Sequence, residues 1–404
     1  MLPVPMTTLE HRYDHLNAAV SRLGSEAAFE VLGRARALQE AGRDIVHLEV
    51  GEPDFDTPEH IKTAGKLAID ENFTHYAPNP GIMEFRRVIA DYATRFRGLA
   101  TPYDANNVVV APGAKQIIWN VLSAVLDPGD EMLYADPAYP TYAVCASYLG
   151  AKPVPVRLLE SKQWRLDLDE LAAKVTPRTK VLIINSPSNP TGGVLSRDDL
   201  AAIAAIAAKH RFLILTDEIY CRHVYGQKFE SITQFEELRD RIVVVDGFSK
   251  AYAMTGWRLG YCIAPPQVAK AATLMANNTY ACTSTFIQKA GIAALSGPDE
   301  PVIEMRDIFH ERRDMVIAGL NAIPNVTACV PPGAFYAFPN ISKVTSDDKR
   351  LASYLLEEAG VALLGGSCFG DAGTGCLRIS YASSIDNLEE ALRRMRIALP
   401  KFPG

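Results

Sequence analysis

Several residues of this chain combine a charged or very small side chain with a position at the end of a short apolar run. Lys250 follows IVVVDGFS, Asp217 follows FLILT, and Gly113, Ala114 and Lys115 follow VVVAP. Short apolar runs separated by helical patterns are typical of buried parallel strands. Ligands of open α/β sheets bind at the carboxyl ends of such strands. The spacing therefore predicts that these five residues lie around one site.

Each of these side chains suits a particular chemistry. The amine of Lys250 can form a Schiff base with a carbonyl compound. Asp217 can hold a proton on the ring nitrogen of a bound heteroaromatic group, which makes that ring an electron sink. Small residues at the start of a helix, such as Gly113 and Ala114, let backbone N–H groups approach an anion. On position alone a solvated lysine, a capping acid and a turn glycine are the more common cases.

Two arginines lie in otherwise apolar segments. Arg258 belongs to GWRLGY and Arg378 belongs to CLRISYA. An unpaired guanidinium among apolar residues is costly, so each arginine is expected to have an anionic partner.

The elements that would position these residues follow from the same alternation of strands and helices. It predicts an α/β fold with a mostly parallel, seven-stranded sheet. One intervening helix has a clear start, because Ser196 and Asp199 form a capping box before LAAIAAIAAKH. The predicted strands are Val108–Ala111, Glu131–Ala135, Lys152–Val156, Val181–Asn185, Phe212–Thr216, Ile242–Val245 and Gly260–Ala264.

The length of the chain predicts more than one domain. Single cores stop growing at roughly 250–300 residues, and this chain has 404. We expect an N-terminal arm over 1–25 and a large domain over 55–297. The segments 26–54 and 298–404 are expected to form together a smaller α+β domain, because they lie outside the alternating block.

Composition narrows the function classes. The net charge of −6 argues against nucleic acid as a partner. The seven cysteines are scattered singly, without a C-x-x-C motif, which argues against disulfides or zinc and favours a reducing cytoplasm. No metal-binding motif is present, and no apolar stretch is long enough to cross a membrane.

Five segments carry a resemblance to a known family. They match, in order and spacing, the fold-type I pyridoxal-phosphate (PLP) enzymes, in particular the class I aminotransferases of the bacterial aspartate aminotransferase-like branch. The segments are GEPDFDTP (51–58), SPSNPTGG (186–193), DEIY (217–220), GFSKAYAMTGWRLGY (247–261) and RISYA (378–382).

The resemblance implies roles for individual residues around the cofactor. Lys250 resembles the lysine that forms the Schiff base with PLP, and Asp217 the partner of the pyridine nitrogen. Tyr220 and Asn189 resemble the groups that contact the 3-oxygen, and Tyr139 the aromatic residue that stacks on the ring. The residues that resemble the phosphate-binding group are Gly113, Ala114, Lys115 and Arg258.

Substrate and subunit contacts are implied in the same way. Arg378 resembles the fork that binds the substrate α-carboxylate, together with Gly51 and Asn189. Tyr76 resembles the tyrosine that reaches the cofactor phosphate of the neighbouring subunit, so a homodimer is expected. Gly247 departs from the pattern, because many relatives have a phosphate-binding serine there.

The expected function is transfer of an amino group between an L-amino acid and a 2-oxo acid by a ping-pong mechanism with PLP. The amino donor stays open: aspartate or a broad or aromatic specificity both fit. A PLP-dependent β-lyase would have nearly the same site residues. A non-catalytic PLP-binding regulator is disfavoured, because only about 25 residues precede the enzyme-like region, whereas such regulators carry an added DNA-binding domain.

Overall fold

A computed structural model describes residues 17–24 and 26–403. Most of the predicted arm, residues 1–16 and 25, lies outside the described residues. Within the arm, Ala18–Arg22 forms one turn of 3₁₀ helix, whose start is capped by the side chain of Asn17.

The described part of the chain alternates helices and strands through its middle, as expected. The helices are α1 Ala27–Glu40, α2 Glu59–Asp70, α3 Met83–Arg97, α4 Ala114–Val125, α5 Thr141–Tyr148, α6 Leu168–Lys174, α7 Arg197–Lys209, α8 Pro266–Thr279, α9 Thr285–Ser296, α10 Glu300–Asn321, α11 Asp348–Ala359 and α12 Ile385–Ala398. The strands are β1 Val46–His47, β2 Val108–Ala111, β3 Glu131–Asp136, β4 Lys152–Leu159, β5 Arg165–Leu166, β6 Thr179–Asn185, β7 Leu213–Asp217, β8 Ile242–Gly247, β9 Gly260–Ile263, β10 Tyr336–Ala337, β11 Val361–Ala362, β12 Leu364–Gly365 and β13 Leu377–Ser380.

The large sheet contains all seven predicted strands. Its order is β2-β9-β8-β7-β6-β3-β4-β5, and the central pairs from β4 to β8 are parallel. Strand β9 runs antiparallel to both of its neighbours. The predicted number of strands was one too few, because β5 adds a two-residue antiparallel edge to β4. So short a strand has no detectable sequence pattern.

The strands of this sheet are buried on both faces. In β2, Val108 and Val110 pack into one hydrophobic core, and Val109 and Ala111 pack into another on the opposite face. This alternation follows from the two-residue period of a strand. It explains why the strands are apolar throughout, and the α/β architecture is confirmed.

The N-terminal strand packs with the C-terminal part of the chain. Strand β1 pairs in parallel with β11, and β10, β13 and β12 form a separate antiparallel sheet. A further hydrophobic core joins β1 to helices α10, α11 and α12. This pairing supports the expected small domain, whose exact boundaries stay a prediction.

Two helix ends follow their sequence signals. The capping box is confirmed, because the Ser196 side chain accepts from Asp199 N–H and the Asp199 carboxylate accepts from Ser196 N–H at the start of α7. Helix α1 ends at Glu40, and Gly42 follows with a φ of 88° that favours glycine.

Three further features concern membrane spans, metal sites and cysteines. Among the described residues, no helix is long and apolar enough to cross a membrane. The same residues contain no group of three or more His, Cys, Asp or Glu side chains arranged to hold a metal ion. The seven cysteines are all described and carry free thiols.

Candidate active site

The carboxyl ends of the central strands open into one cavity of about 520 Å3. Because these strands are parallel, the segments that follow them meet at one edge of the sheet. The structure brings together most of the residues predicted for the site. The predicted residues that line the cavity are Gly51, Ala114, Lys115, Tyr139, Asn189, Asp217, Tyr220, Lys250, Arg258 and Arg378.

Lys250 lies just after β8, on the floor of this cavity. Its Nζ donates a hydrogen bond to the backbone oxygen of Gly51 at 2.5 Å and lies 5.9 Å from the centre of the Phe335 ring. Burial lowers the pKa of Lys250 to about 8, although the Glu52 carboxylate opposes this effect. About one tenth of the amine is therefore free at pH 7, far more than for a lysine with its ordinary pKa, and the free amine is the form that a nucleophile requires.

Asp217 is the last residue of β7, and only 3% of it is exposed. Its Oδ2 accepts a hydrogen bond from the Tyr142 hydroxyl at 2.7 Å, and its Oδ1 accepts from the Ile219 N–H at 3.2 Å. Burial raises the pKa of Asp217 to about 6, and these two hydrogen bonds act against burial. The result is an oriented carboxylate that is ionised above about pH 6 and faces the cavity.

A buried ion network lies behind Asp217. Arg97 donates from Nε to Glu218 Oε2 at 2.8 Å and from Nη2 to Asp246 Oδ2 at 3.0 Å. The Tyr261 hydroxyl also donates to Asp246, at 3.0 Å. Two buried carboxylates need such a cationic partner. The network therefore fixes the end of β7, which carries Asp217, relative to the end of β8, which precedes Lys250.

Two asparagines connect the end of β6 to Asp217. Asn185 donates from Nδ2 to the Asp217 backbone oxygen at 2.9 Å, and its Oδ1 accepts from the Asn189 N–H at 2.9 Å. The Asn189 Oδ1 atom is buried and has no hydrogen-bond partner. A buried polar atom of this kind is expected to contact a ligand or water.

Tyr220 and Tyr336 form a second pair within the cavity. Their hydroxyls are 2.7 Å apart and hydrogen-bonded to each other. Burial raises the pKa of both phenols, so both stay protonated at neutral pH. One hydroxyl donates to the other, so the phenol that accepts keeps its own hydrogen for an oxygen atom in the cavity.

The start of α4 forms a site suited to an anion. The first N–H groups of a helix have no intrahelical acceptor, and the dipole favours negative charge there. Gly113 precedes the helix with a φ of 94°, and a Cβ atom on it would lie 2.5 Å from Arg258 Nη2. A Cβ on Gly260 would lie 2.5 Å from Ala114 N. Because neither glycine has a side chain, Arg258 can approach Gly113 and the backbone of Gly260 can approach the start of α4.

Lys115 occupies this helix start but directs its side chain elsewhere. Its Nζ lies 2.6 Å from Glu26 Oε2 and 5.5 Å from the centre of the Tyr139 ring. The structure therefore associates the backbone of Lys115, rather than its ammonium group, with the predicted phosphate site.

Arg378 lines the same cavity and is 3% exposed. Its Nη2 donates to the Glu49 backbone oxygen, and its Cζ lies 4.7 Å from the Tyr336 ring centre and 5.1 Å from that of Phe369. The Nε atom is buried without a partner. The expected anionic partner is absent from the described side chains around Arg378, so a bound carboxylate would supply it.

Tyr76 and Gly247, two other residues singled out in the sequence, do not line this cavity. Tyr76 is 92% exposed and does not line the cavity of its own chain. Gly247 ends β8 in a tight space, where a Cβ atom would lie 3.1 Å from both Ile219 Cδ1 and Leu259 O. A serine there would require its neighbours to move.

Sequence reasoning missed several residues of the cavity, among them Tyr142, Asn185, Tyr336 and Glu26. Tyr142 follows Tyr139 by three residues, in the first turn of α5, and Asn185 ends a predicted strand, so position gave a signal for both. Tyr336 and Glu26 come from the segments that precede or follow the alternating block, and nothing in their own spacing indicates the site.

The comparisons with known proteins bear on this site directly. The model of the family "Aminotransferase class I and II" matches residues 43–395. The chain belongs to this aminotransferase family.

Individual proteins that resemble this chain are also named as aminotransferases. It is 39% identical to an aspartate aminotransferase of Rhizobium meliloti strain 1021, over 95% of this chain and 96% of the relative. It is 41% identical to aromatic-amino-acid aminotransferase 2 of Thermococcus litoralis, over 88% of this chain and 92% of the relative. The crystal structure of the aspartate aminotransferase from Rhizobium meliloti superposes with a TM-score of 0.91 at 37% identity, covering 95% of this chain and 98% of that one. The aminotransferase is therefore a fold-type I, PLP-dependent enzyme, as predicted.

The residues of the cavity fit PLP. The unpartnered Asn189 Oδ1 and Arg378 Nε atoms are buried and available to cofactor and substrate. Asp217 offers an oriented carboxylate for the ring nitrogen, and the start of α4 offers N–H donors for the phosphate. The amine of Lys250 lies in the same cavity and is suited to a covalent link with an aldehyde.

Proposed function

We propose that this aminotransferase moves the amino group of an L-amino acid to a 2-oxo acid by a ping-pong mechanism, with Lys250 and Asp217 as its catalytic pair. The observation that carries this proposal is that both residues line one cavity together with Arg378. An amine, a buried acid and a carboxylate-binding arginine are the three groups that the reaction needs. When bound, PLP supplies an aldehyde for covalent linkage and a ring that draws electrons from the substrate α-carbon.

Lys250 has two tasks in this proposal. It holds the cofactor covalently between turnovers, and after the amino acid displaces it, the free amine moves a proton away from the substrate α-carbon. Its pKa of about 8 suits both tasks, because the amine is available as a base near neutral pH.

Asp217 keeps the ring nitrogen of PLP protonated. A carboxylate can do this only when it is ionised, and the hydrogen bonds from Tyr142 and the Ile219 N–H favour that form. Tyr220 and Asn189 are assigned to the 3-oxygen of the cofactor, and Tyr139 to the face of its ring. These contacts orient the cofactor relative to Lys250.

Phosphate and substrate are assigned to different residues of the cavity. The phosphate is expected at the start of α4, with Gly113, Ala114, Lys115 and Arg258. The substrate α-carboxylate is expected at Arg378, near the Gly51 backbone and Asn189. Arg378 presents a planar fork of donors, which matches a carboxylate in two-point contact.

We further assign the enzyme to the cytoplasm as a homodimer in which Tyr76 of the partner subunit reaches the phosphate. The exposure of Tyr76 and the Pro- and Gly-rich loop around it support the shared site. The seven free thiols support a reducing compartment. The relatives include aminotransferases named for aspartate and for aromatic amino acids, so both donor classes are candidates.

A donor and acceptor screen tests the proposed reaction. Each amino acid is offered with and without a 2-oxo acid, and amino acid product and ammonia are measured separately. Amino transfer requires the acceptor and gives parallel initial-rate lines in double-reciprocal plots. Acceptor-independent release of ammonia and a 2-oxo acid from a cysteine conjugate would favour a β-lyase instead. Binding of PLP without turnover of any amino acid would favour a regulator.

A further inference from the structure

An ion pair lines the active-site cavity. Glu26, directly before α1, places Oε2 2.6 Å from Nζ of Lys115 in the first turn of α4. Both residues line the same cavity as Lys250 and Arg378, and both side chains are only partly exposed, at 29% and 42%. The pair thus links the start of α1 to the start of α4 within the cavity.

Local structure does not account for a glutamate at this position. Glu26 is the N-cap residue of α1, where Ser, Thr, Asp and Asn are the residues that cap effectively. Its side chain makes no capping hydrogen bond. The Glu26 carboxylate is instead committed to Lys115, so its contribution lies in the cavity rather than in the helix.

Lys115 is the cavity cation whose side chain has no task in the proposed function. Among the described residues, the cationic side chains that line the cavity are Lys115, Lys250, Arg258 and Arg378. In the proposed function Lys250 holds PLP, Arg258 its phosphate and Arg378 the α-carboxylate. Burial alone would lower the pKa of Lys115, but Tyr139 and Glu26 raise it above its ordinary value. Lys115 is therefore a full cation that Glu26 neutralises.

The cavity that holds the ion pair also has apolar lining residues. Ala28, Phe29 and Ile118 are among them, and 59% of Phe29 is exposed. A second carboxylate, that of Glu52, lies in the same cavity and accepts a hydrogen bond from Thr255. The cavity thus offers apolar contact and two carboxylates to an incoming side chain. Among its described residues, the cation without an assigned task is Lys115, and that cation is paired with Glu26.

We propose that Glu26 is a specificity-determining residue: by pairing with Lys115 it makes the site favour amino donors with an uncharged, apolar or aromatic side chain over donors with a distal carboxylate. This inference rests on the proposed amino transfer and names its substrate class. A distal carboxylate can reach Lys115 only by displacing Glu26, and it would then lie close to a second like charge. An apolar side chain packs over the intact pair without breaking it. The preference for apolar donors therefore comes from charge repulsion between Glu26 and a distal carboxylate as well as from apolar contact.

Glu26→Gln is the test substitution, because it removes the negative charge and keeps the size of the side chain. In the unchanged enzyme, kcat/KM for phenylalanine should exceed that for aspartate by about tenfold or more. In the variant, kcat/KM for aspartate should rise about tenfold, while that for phenylalanine changes less than about threefold. A preference of the unchanged enzyme for aspartate, or an unaltered ratio in the variant, overturns the proposal.

Two further variants separate this role from a structural one. Glu40→Gln makes the same chemical change at the exposed end of α1, away from the cavity, and should leave the ratio unchanged. Adding Lys115→Met to Glu26→Gln should cancel the gain for aspartate, because the gain needs the freed ammonium group. A gain that persists without Lys115 would show that Glu26 acts on some other group. Thermal unfolding and PLP content of each variant report whether it is folded and loaded.

Equilibrium binding tests the same idea without turnover. Calorimetry with succinate, a dicarboxylate, and with 3-phenylpropanoate, a monocarboxylate, measures both affinities. Glu26→Gln should tighten succinate binding about tenfold and leave 3-phenylpropanoate binding within about threefold. If no amino donor is turned over by any variant, the proposed function fails, whereas the binding ratio still decides the role of Glu26. Equal changes for both ligands would contradict it.

Discussion

The hydroxyl of Tyr142 donates a 2.7 Å hydrogen bond to Oδ2 of Asp217, and both residues are almost fully buried. Burial by itself favours the neutral form of a carboxyl group, and a donor to the carboxylate favours the ionised form. Tyr142 therefore helps to keep Asp217 in the state that can hold a proton on the ring nitrogen of PLP. It is a positioning residue, because it acts on the cofactor through Asp217.

This relationship predicts two graded effects. Asp217→Asn should retain PLP but lower the rate of α-proton abstraction by about a hundredfold or more. Tyr142→Phe should lower kcat by about tenfold and move the acidic limb of its pH profile to higher pH, because loss of the donor raises the pKa of Asp217. Tyr148→Phe makes the same change on the same helix, outside the cavity, and should do neither. Single-turnover rates and kcat–pH profiles provide the measurement. An unshifted profile in Tyr142→Phe would refute its role.

The lowered pKa of Lys250 predicts how cofactor loading depends on pH. Only the free amine adds to an aldehyde. With a pKa of about 8, about one tenth of Lys250 is free at pH 7 and about nine tenths at pH 9. The rate at which cofactor-free enzyme forms its covalent link to PLP should therefore rise with pH, reach half its maximum near pH 8 and level off above about pH 9. Stopped-flow absorbance measures this rate. A rate that still rises steeply beyond pH 10 would mean that Lys250 keeps an ordinary lysine pKa.

Arg378 is expected to recognise the substrate carboxylate by two-point contact. Lysine keeps the charge but not the fork, so Arg378→Lys should weaken binding of amino acids and 2-oxo acids alike by about 10- to 100-fold. Amines without a carboxylate should change by less than about threefold. Dissociation constants from spectroscopic titration provide the comparison. Equal losses for both classes would assign Arg378 to structure.

Tyr76 tests the shared site. The chains to be mixed are Tyr76→Arg and Lys250→Ala, each of which should be inactive alone. A mixed dimer contains one site built from the intact Tyr76 of one chain and the intact Lys250 of the other. Mixing should therefore restore up to one active site per dimer, in proportion to the mixed dimers counted by native mass spectrometry. Mixed dimers that form and stay inactive would rule out the shared site.

The sequence predicted the central strands, and the meeting of Lys250, Asp217 and the start of α4, for a physical reason, whereas residues such as Tyr139, Asn189 and Tyr220 were predicted from the family resemblance. Strands such as β2 are apolar throughout because both faces are buried, and the segments after parallel strands must meet at one edge. That reasoning places Lys250 and Asp217 together. It could not reach the hydrogen bond of Tyr142 to Asp217, because the two residues are 75 positions apart and their contact depends on how α5 packs.

The Glu26–Lys115 pair was out of reach for the same reason. Its members are 89 positions apart and belong to different parts of the fold. The sequence assigned Lys115 to the phosphate site, since the start of a helix was the visible signal. Only the packing of α1 over the cavity shows that its ammonium group pairs with Glu26.

The central claim is that Lys250 carries PLP in an enzyme that transfers amino groups. Borohydride reduction of the loaded enzyme, followed by proteolysis and mass spectrometry, tests it most directly. We expect a single pyridoxyl-modified peptide that contains Lys250, and we expect it to be absent after Lys250→Ala. Incubation with an amino donor alone before reduction should remove the modifiable link. Modification of a different lysine, or an unchanged yield in Lys250→Ala, would contradict the assignment of PLP to Lys250.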